Sequence, residues 1–346
     1  MKSIACKFFK IVLLVAAVLL LPGCNYDEGQ LAGKADAKET YGSRAAWLAY
    51  WDLDAGGKDL QRMGKKLDKL SYFGAYFDAY DRVFIPQELS DKRKALQAKR
   101  EKYETYLTFV NDKQNVDESV IIKDTEVLRR LFANTAAMDR HIDEIIALTL
   151  LGKYDGIEID YERIWNDPQI AKPFAQFVDK LYLKARESNL KLRVVLEPGT
   201  PFVLANLPQG PDYVIMFYNL YGLHSEPGPK ANKAFIEKTA KQMKFLQGEA
   251  SAAFATGGCL WGDNGKRALL SEAEAKTLAV TYDSKTKRDK ESQCIVFEYK
   301  DRGVSYQVWY ADVQTLNYWI GIAKEQGVNN ISIWRLGGNI DINKIE

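Results

Sequence analysis

The chain has 346 residues, of which 48 are Lys or Arg and 46 are Asp or Glu, so its formal net charge is +2 at pH 7. Three of the lysines lie in the first 23 residues, which hold no acid, and removing that +3 leaves −1 for the rest. A body of this charge argues against a nucleic-acid partner. Its two histidines, His141 and His224, and the absence of a Cys-x-x-Cys pair argue against a zinc or dithiol site. We therefore expect no metal and no cofactor.

The N-terminal segment is typical of an export signal. Its lysines precede an eleven-residue apolar run over residues 11–21, which is too short to span a bilayer but suits a secretory signal peptide. The run ends in Leu-Pro-Gly-Cys, which resembles the bacterial lipobox, whose cysteine is lipidated. We expect residues 1–23 to be a signal peptide, Cys24 to anchor the protein to a membrane of the bacterial cell envelope, and residues 24–40 to be a flexible tether. An ordinary signal peptide that ends near a cysteine is the alternative.

From residue 41 to 346 the pattern alternates short apolar runs with longer helical stretches, which is typical of strand–helix–strand units in a parallel sheet. The predicted strands are 45–51, 70–77, 105–110, 154–162, 192–197, 213–219, 252–256 and 330–335. The helices with the clearest spacing are 127–151, 174–186, 232–247 and 313–326. Eight strands with helices between most of them predict a (β/α)8 TIM barrel, an α/β fold.

Residues 262–310 interrupt this alternation between the seventh and eighth strands. They contain a charged turn and two short strand-like pieces, so we expect a small α+β insertion on the loop face of the barrel. Cys259 and Cys294 remain once the N-terminal cysteines are set aside. Export would allow them to form a disulfide, and two buried thiols are the alternative.

The fourth predicted strand carries three acids at alternate positions. Glu158, Asp160 and Glu162 are two residues apart, so their side chains leave the same face of a strand. In a parallel barrel the apolar alternate positions pack against helices, which turns the acids inward. Burial and mutual repulsion then raise the pKa of at least one carboxyl group. A protonated acid beside an ionised one is what cleavage of a glycosidic bond requires, whereas an acidic strand facing water is the alternative.

Residues 155–162, Asp-Gly-Ile-Glu-Ile-Asp-Tyr-Glu, resemble the Asp-Gly-x-Asp-x-Asp-x-Glu signature of glycoside hydrolase family 18, the chitinase family. Met-Phe-Tyr-Asn over residues 216–219 is similar to the family's Met-x-Tyr-Asp. Ile-Trp-Arg-Leu-Gly over residues 333–337 resembles the closing strand of its cell-wall and spore-cortex members. This sequence departs from the family in Glu158 and Asn219, which replace aspartates.

The resemblance implies substrate-assisted retention, in which the substrate's own 2-acetamido oxygen attacks the anomeric carbon. It implies that Glu162 is the general acid and base, that Asp160 orients the acetamido group, and that Tyr218 binds the acetamido carbonyl. Substrate-binding roles follow by resemblance for four further residues: Trp334 as the floor under the −1 sugar, Asp155 as an outer acid that supports Asp160, Glu158 and Asn219.

Three residues at predicted strand ends are further candidates for substrate binding. Trp51 and Trp261 end the first and seventh predicted strands, where an aromatic ring can stack on a sugar, and packing is the alternative for each. Glu197 ends the fifth strand, at the edge where barrel enzymes carry their catalytic groups. It can equally cap a loop.

These residues predict an exported, lipid-anchored, monomeric glycosidase that hydrolyses β-linked N-acetylglucosamine in a polysaccharide such as peptidoglycan or chitin. A catalytically inactive carbohydrate-binding lipoprotein on the same barrel is the alternative, favoured by the changes at Glu158 and Asn219. A barrel hydrolase of another family, with Glu197 as nucleophile, is a third hypothesis.

Overall fold

A computed structural model describes residues 42–99 and 102–346. The predicted signal peptide, Cys24 and the tether lie outside the described residues, so their roles stay predictions. Within the described part of the chain, no helix is both long and apolar enough to cross a membrane. The same residues contain no group of His, Cys, Asp and Glu side chains arranged to hold a metal ion.

The described residues form a series of strands and helices that alternate for most of the chain. The strands are β1 Arg44–Ala49, β2 Lys69–Phe77, β3 Val83–Phe84, β4 Glu104–Gln114, β5 Val120–Ile121, β6 Gly156–Asp160, β7 Lys191–Leu196, β8 Asp212–Met216, β9 Ala250–Ala255, β10 Gly257–Gly262, β11 Arg267–Leu270, β12 Lys287–Arg288, β13 Ile295–Asp301, β14 Val304–Ala311 and β15 Ile331–Trp334. The α-helices are α1 Leu53–Met63, α2 Gln87–Gln97, α3 Thr125–Leu131, α4 Thr135–Leu151, α5 Pro168–Glu187, α6 Lys233–Met243, α7 Glu272–Thr281 and α8 Val313–Glu325.

Eight parallel strands close into a barrel in the order β1, β2, β4, β6, β7, β8, β9 and β15, and β15 pairs with β1. Each of them coincides with one of the eight predicted strands to within a few residues. The predicted (β/α)8 TIM barrel is therefore confirmed. Because the strands are parallel, their carboxyl ends meet at one face, and the residues that follow β4, β6, β7 and β8 converge there.

The helix predicted over residues 127–151 is two helices, α3 and α4. The first ends at Leu131, and Asn134 begins the second with its side-chain oxygen accepting a hydrogen bond from the backbone N–H of Ala137 at 3.0 Å. Asn is among the preferred residues at this capping position, and its extended backbone separates the two helices. The apolar spacing continues through the break because both helices pack on the barrel.

The insertion between the seventh and eighth barrel strands runs from β10 to β14 and forms a five-stranded antiparallel sheet with α7 against one face. It begins earlier than predicted. Gly257, at φ +63, turns the chain directly from β9 into β10, and a Cβ at this position would lie 2.2 Å from the carbonyl oxygen of Leu270. Thr256 is the single residue between β9 and β10, and the glycine at the turn lets the chain reverse there, so no polar loop in the sequence marks the boundary.

Cys259 in β10 and Cys294 just before β13 are both free and buried. Of the two alternatives that the sequence left open, the structure has the buried thiols. Burial raises the pKa of both thiols, to about 12 for Cys294. They are consequently unreactive packing groups.

Candidate active site

The alternation of β6 places its apolar and acidic residues on opposite faces, as the sequence predicts. Ile157, Ile159 and Tyr161 are at most 2 % exposed and belong to the core between the barrel and its helices. The hydroxyl group of Tyr161 lies 2.7 Å from Nε2 of His141 on α4. The other face of β6 points into the barrel, where it carries Glu158 and Asp160.

Glu158 lies in the centre of the barrel with no exposed surface. One carboxylate oxygen accepts hydrogen bonds from the indole N–H of Trp47 at 2.5 Å and from Thr108 Oγ1 at 2.7 Å. The other accepts from Ser71 Oγ at 3.0 Å and pairs with Arg193 Nη1 at 3.2 Å. With both oxygens bound, Glu158 is not free to contact a substrate. The prediction of a binding role is corrected: the Glu158 side chain links β6 to four other strands, β1, β2, β4 and β7, below the barrel mouth.

Asp160, one layer above, is 7 % exposed and lies at the mouth of the barrel. Its Oδ1 atom is buried and has no hydrogen-bond partner among the described residues. Burial, followed by the negative charges of Glu162 and Glu158, raises the pKa of Asp160 well above its ordinary value. A buried carboxyl oxygen without a partner is costly, which suits an atom that a ligand N–H will satisfy.

Glu162 follows β6 and is largely buried at the same mouth. Burial raises the pKa of its carboxyl group, whereas the ammonium group of Lys123, which forms an ion pair with Glu162 Oε2, acts in the opposite direction. The net effect is a pKa above the ordinary value for Glu. Asp160 and Glu162 influence each other's titration, so the pair is best treated as one unit that shares protons.

Asn111 holds the backbone of Glu162 and is a site residue that was not predicted from the sequence. Its side-chain oxygen accepts from the Glu162 N–H at 2.9 Å, and its amide donates to the Glu162 carbonyl at 3.2 Å. Asn111 lies near the end of β4, so a polar residue where an apolar barrel strand ends was a usable signal. Lys123, in the loop before α3, carried no such signal.

Tyr218 comes two residues after β8 and is 6 % exposed. Burial and the charges of Asp160, Glu162 and Glu158 raise the pKa of its phenol, which places Tyr218 beside the acids and keeps it protonated. Asn219, the next residue, is exposed at φ 69, and its amide group contacts Met216 Sδ at 3.9 Å. It lies at the rim, with no hydrogen bond to the acids.

Trp334 ends β15, and the Trp334–Arg335 peptide bond is cis. Its ring packs against Phe73 at 4.7 Å and Trp47 at 5.6 Å, centroid to centroid. Trp51, which is 50 % exposed, lies 6.5 Å away. Both rings line a cavity of about 480 Å³ at the carboxyl ends of β9 and β15, which is large enough for a sugar unit; neither Asp160 nor Glu162 lines it.

Two predicted site residues lie elsewhere. Asp155 precedes β6 at the opposite end of the strand, where it accepts hydrogen bonds from the backbone N–H and hydroxyl of Thr105 at 2.8 and 2.7 Å. Asp155 and Asp160 lie at opposite ends of β6 with four residues between them, so Asp155 anchors the start of β6 and does not touch the site. Trp261 belongs to β10, not to the seventh barrel strand, and is 2 % exposed. Its N–H donates to the carbonyl groups of Gly222 and Ser225, so its ring is not free to stack on a sugar.

Glu197 follows β7 and does reach the site. Its Oε2 atom accepts a hydrogen bond from the backbone N–H of Arg163 at 2.9 Å, and its negative charge adds to the raised pKa of Glu162. The two glutamates are therefore neighbours across β6 and β7. Glu197 caps the turn after Glu162 and helps to keep a proton on that acid.

Comparison with known proteins finds glycosylases and chitinases among the similar proteins. The chain is 23 % identical over 261 residues to the uncharacterized glycosylase YvbX of Bacillus subtilis. The alignment covers 69 % of this chain and 73 % of YvbX. The spore cortex-lytic enzyme SleL of Bacillus cereus has a similar structure, with a TM-score of 0.73, 17 % identity, and coverage of 87 % of this chain and 72 % of SleL. So has a class V chitinase of Nicotiana tobaccum in complex with NAG4, with a TM-score of 0.66, 14 % identity, and coverage of 88 % and 97 %. No family model matches the chain.

The resemblance to glycoside hydrolase family 18 is confirmed. At these identities the structural likeness establishes the fold, and the names of the relatives support the prediction of a glycoside hydrolase. Which substrate this chain takes and how it reacts depend on its own residues.

Proposed function

We propose that this chain is an exported glycosidase that hydrolyses β-linked N-acetylglucosamine polymers, of peptidoglycan or chitin type, by substrate-assisted retention. The single observation that supports it most is the unpartnered, buried Oδ1 atom of Asp160 beside Glu162 and Tyr218 at the barrel mouth. An acetamido N–H supplies the missing donor.

In the first step the acetamido carbonyl oxygen of the −1 sugar attacks the anomeric carbon as the bond from that carbon to the leaving oxygen breaks. Glu162 gives its proton to the leaving oxygen, and an oxazolinium ion forms. With the shared proton of the pair on Glu162, the ionised Asp160 accepts the acetamido N–H and offsets the positive charge of this ion, while the Tyr218 hydroxyl donates to the carbonyl oxygen. In the second step Glu162 takes a proton from water, which opens the oxazolinium with overall retention of configuration.

The proposal makes a strict demand on the substrate, because the nucleophile belongs to it. We expect wild-type protein to release new reducing ends from N-acetylglucosamine oligomers or from peptidoglycan glycan strands, and to leave the de-N-acetylated oligomer of the same length intact. Rapid hydrolysis of the de-N-acetylated oligomer would rule out substrate-assisted catalysis. A covalent glycosyl-enzyme trapped on Glu197 would support the third hypothesis instead.

The inactive carbohydrate-binding protein keeps one observation in its favour. The ion pair between Lys123 and Glu162 stabilises the ionised form of the acid, which cannot donate a proton. Under that alternative the purified protein binds the oligomers in a calorimetric titration but releases no reducing ends at any pH between 4 and 8.

Export and anchoring through Cys24 belong to the same proposal and are supported by the apolar run and the cysteine that follows it. Metabolic labelling with radioactive palmitate in a bacterial host should label the wild-type protein. Cell fractionation should recover the labelled protein with the membranes. The Cys24→Ala variant should be unlabelled. Label that persists in this variant would contradict the anchor.

A further inference from the structure

Two cations lie next to Glu162, which follows β6, the barrel strand opposite β15 and Trp334 in the strand order. Lys123 reaches the acid from the loop between β5 and α3, and Arg163 is the next residue after the acid. Both are non-glycine residues with a left-handed backbone, at φ 59 and φ 61. Such backbone conformations are uncommon and cluster at functional sites.

Neither cation is fully used by the protein. The ammonium group of Lys123 has three N–H donors, of which Glu162 takes one, and its side chain is 28 % exposed. Arg163 is exposed, and its guanidinium group forms no ion pair with any described carboxylate. The charge of Arg163 nevertheless acts on Asp112. Burial raises the pKa of this carboxyl group, and the charges of Lys123 and Arg163 offset part of that rise.

The position of the two cations relative to the reaction follows from the role of Glu162. A general acid lies next to the bond that it cleaves, with the −1 sugar on one side and the leaving sugar on the other. Tyr218 and Trp334 bound the −1 side. Lys123 and Arg163 therefore border the space for the leaving sugar. Lys123 also offsets the acids at this mouth, whereas the exposed guanidinium group of Arg163 has no carboxylate partner among the described residues.

We propose that Lys123 and Arg163 form a binding site for a carboxylate on the leaving-group sugar, so that the enzyme favours N-acetylglucosamine linked to an acidic saccharide over a neutral oligomer. The inference rests on the proposed function. The acids at this mouth, Asp112, Asp160, Glu162 and Glu197, repel an anion, so the two cations are what allows one to enter. The carboxylate can belong to a lactyl ether on the sugar or to a peptide attached to it.

The test uses oligosaccharides that differ only in charge. The first is an alternating oligomer of N-acetylglucosamine and N-acetylmuramic acid with free lactyl carboxylates, and the second is the same oligomer with the lactyl groups converted to neutral methyl amides. A third carries short peptides with free carboxylates on the lactyl groups. We expect kcat/KM to be about tenfold higher for the first oligomer than for the second, the effect of one or two charge-assisted hydrogen bonds. A preference for the third over the first would assign the carboxylate to the peptide.

The variants separate this role from a general effect on the acid. Lys123→Met and Arg163→Met should each lower the ratio of kcat/KM between charged and neutral oligomers, and the double variant should bring it close to one. Lys123→Arg should keep the ratio. Each variant is measured at its own pH optimum, because Lys123 also affects the pKa of Glu162. Lys113→Met is the matched control, since Lys113 pairs with Asp81, which retains Arg130 as a partner.

Equal rates on the charged and neutral oligomers, or variants that slow both to the same extent, would overturn the inference and leave the proposed glycosidase intact. Hydrolysis of none of these oligomers, nor of N-acetylglucosamine oligomers, would overturn the proposed function. In that event a calorimetric titration of the wild-type protein decides the inference by itself. Tighter binding of the free carboxylate than of the methyl amide supports the site, and equal binding refutes it.

Discussion

Asn111 binds both backbone groups of Glu162, accepting from its N–H at 2.9 Å and donating to its carbonyl at 3.2 Å. The acid itself follows its strand, so these two bonds fix the point from which its side chain extends at the barrel mouth. In the proposed mechanism, Asn111 thus sets the position of the general acid without binding the substrate itself.

Replacing Asn111 by Ala should lower kcat by roughly ten- to a hundredfold with little change in KM, because a displaced acid loses alignment in the transition state. The two orphaned backbone groups should also cost about 1–3 kcal/mol of unfolding free energy. Asn115→Ala is the control. It removes an exposed hydrogen bond to Ser119 in the hairpin turn near the same strand. A KM effect with unchanged kcat would place Asn111 in substrate binding instead.

Glu162→Gln should reduce turnover of N-acetylglucosamine oligomers by about 10²–10⁴-fold or more, since general acid catalysis contributes that much and the leaving group is a poor one. The amide occupies the same volume, so circular dichroism and thermal unfolding should change little. Glu298→Gln is the matched control, because Glu298 is exposed on the insertion and accepts from Gln307, which an amide oxygen can still do. Comparable rates for Glu162→Gln and wild type would contradict the assignment.

Asp160 should make the protein less stable as the pH rises. Burial first, and the charges of Glu162 and Glu158 second, raise its folded-state pKa above the unfolded value of about 3.9. Its contribution to stability is then fully present below that value and is lost as the pH rises through the folded pKa. The stability of Asp160→Asn relative to wild type should therefore increase with pH from about 4 upward, by about 1.4 kcal/mol per unit of pKa difference. Urea unfolding at several pH values measures it, and parallel curves would refute it.

Glu158 and Arg193 should be strongly coupled in stability. Glu158→Gln leaves the guanidinium of Arg193, which is 2 % exposed, without its ionised partner in the barrel centre, at a cost of about 3–5 kcal/mol. Glu158→Gln combined with Arg193→Gln removes both charges and should lose less than the sum of the two single variants. Denaturant unfolding of all four proteins gives the coupling energy. Additive losses would show that the pair is independent.

The barrel strands were predictable because each one is a short apolar run buried on both faces. The same reasoning predicted that Glu158 and Asp160 point into the barrel. Successive side chains of a strand point to opposite faces, and Ile157 and Ile159 pack on the helices. It joined α3 and α4 because apolar spacing is blind to a single cap such as Asn134. Local sequence patterns show which face of a helix or strand is apolar. The break between α3 and α4 depends instead on one side-chain hydrogen bond, that of Asn134.

The site was predictable only where the chemistry lies on one strand. Glu158, with no exposed surface, was mistaken for a binding residue because spacing does not show depth within the barrel. Lys123 was missed because it reaches Glu162 across 39 residues of sequence, and a lone lysine in a loop has no pattern. Trp261 was misplaced because only Thr256 separates β9 from β10, so that a residue of β10 was taken to belong to the seventh barrel strand.

The indole N–H of Trp261 donates hydrogen bonds to the carbonyl groups of Gly222 and Ser225. Both acceptors belong to the segment that leaves the barrel immediately after Tyr218. Deleting the antiparallel sheet to obtain a smaller catalyst would release this segment and, with it, the phenol that faces the acids. Trimming is therefore not a route to a minimal version of this protein. Length can vary more safely in exposed turns of the appended sheet, such as that at Gly303 between β13 and β14.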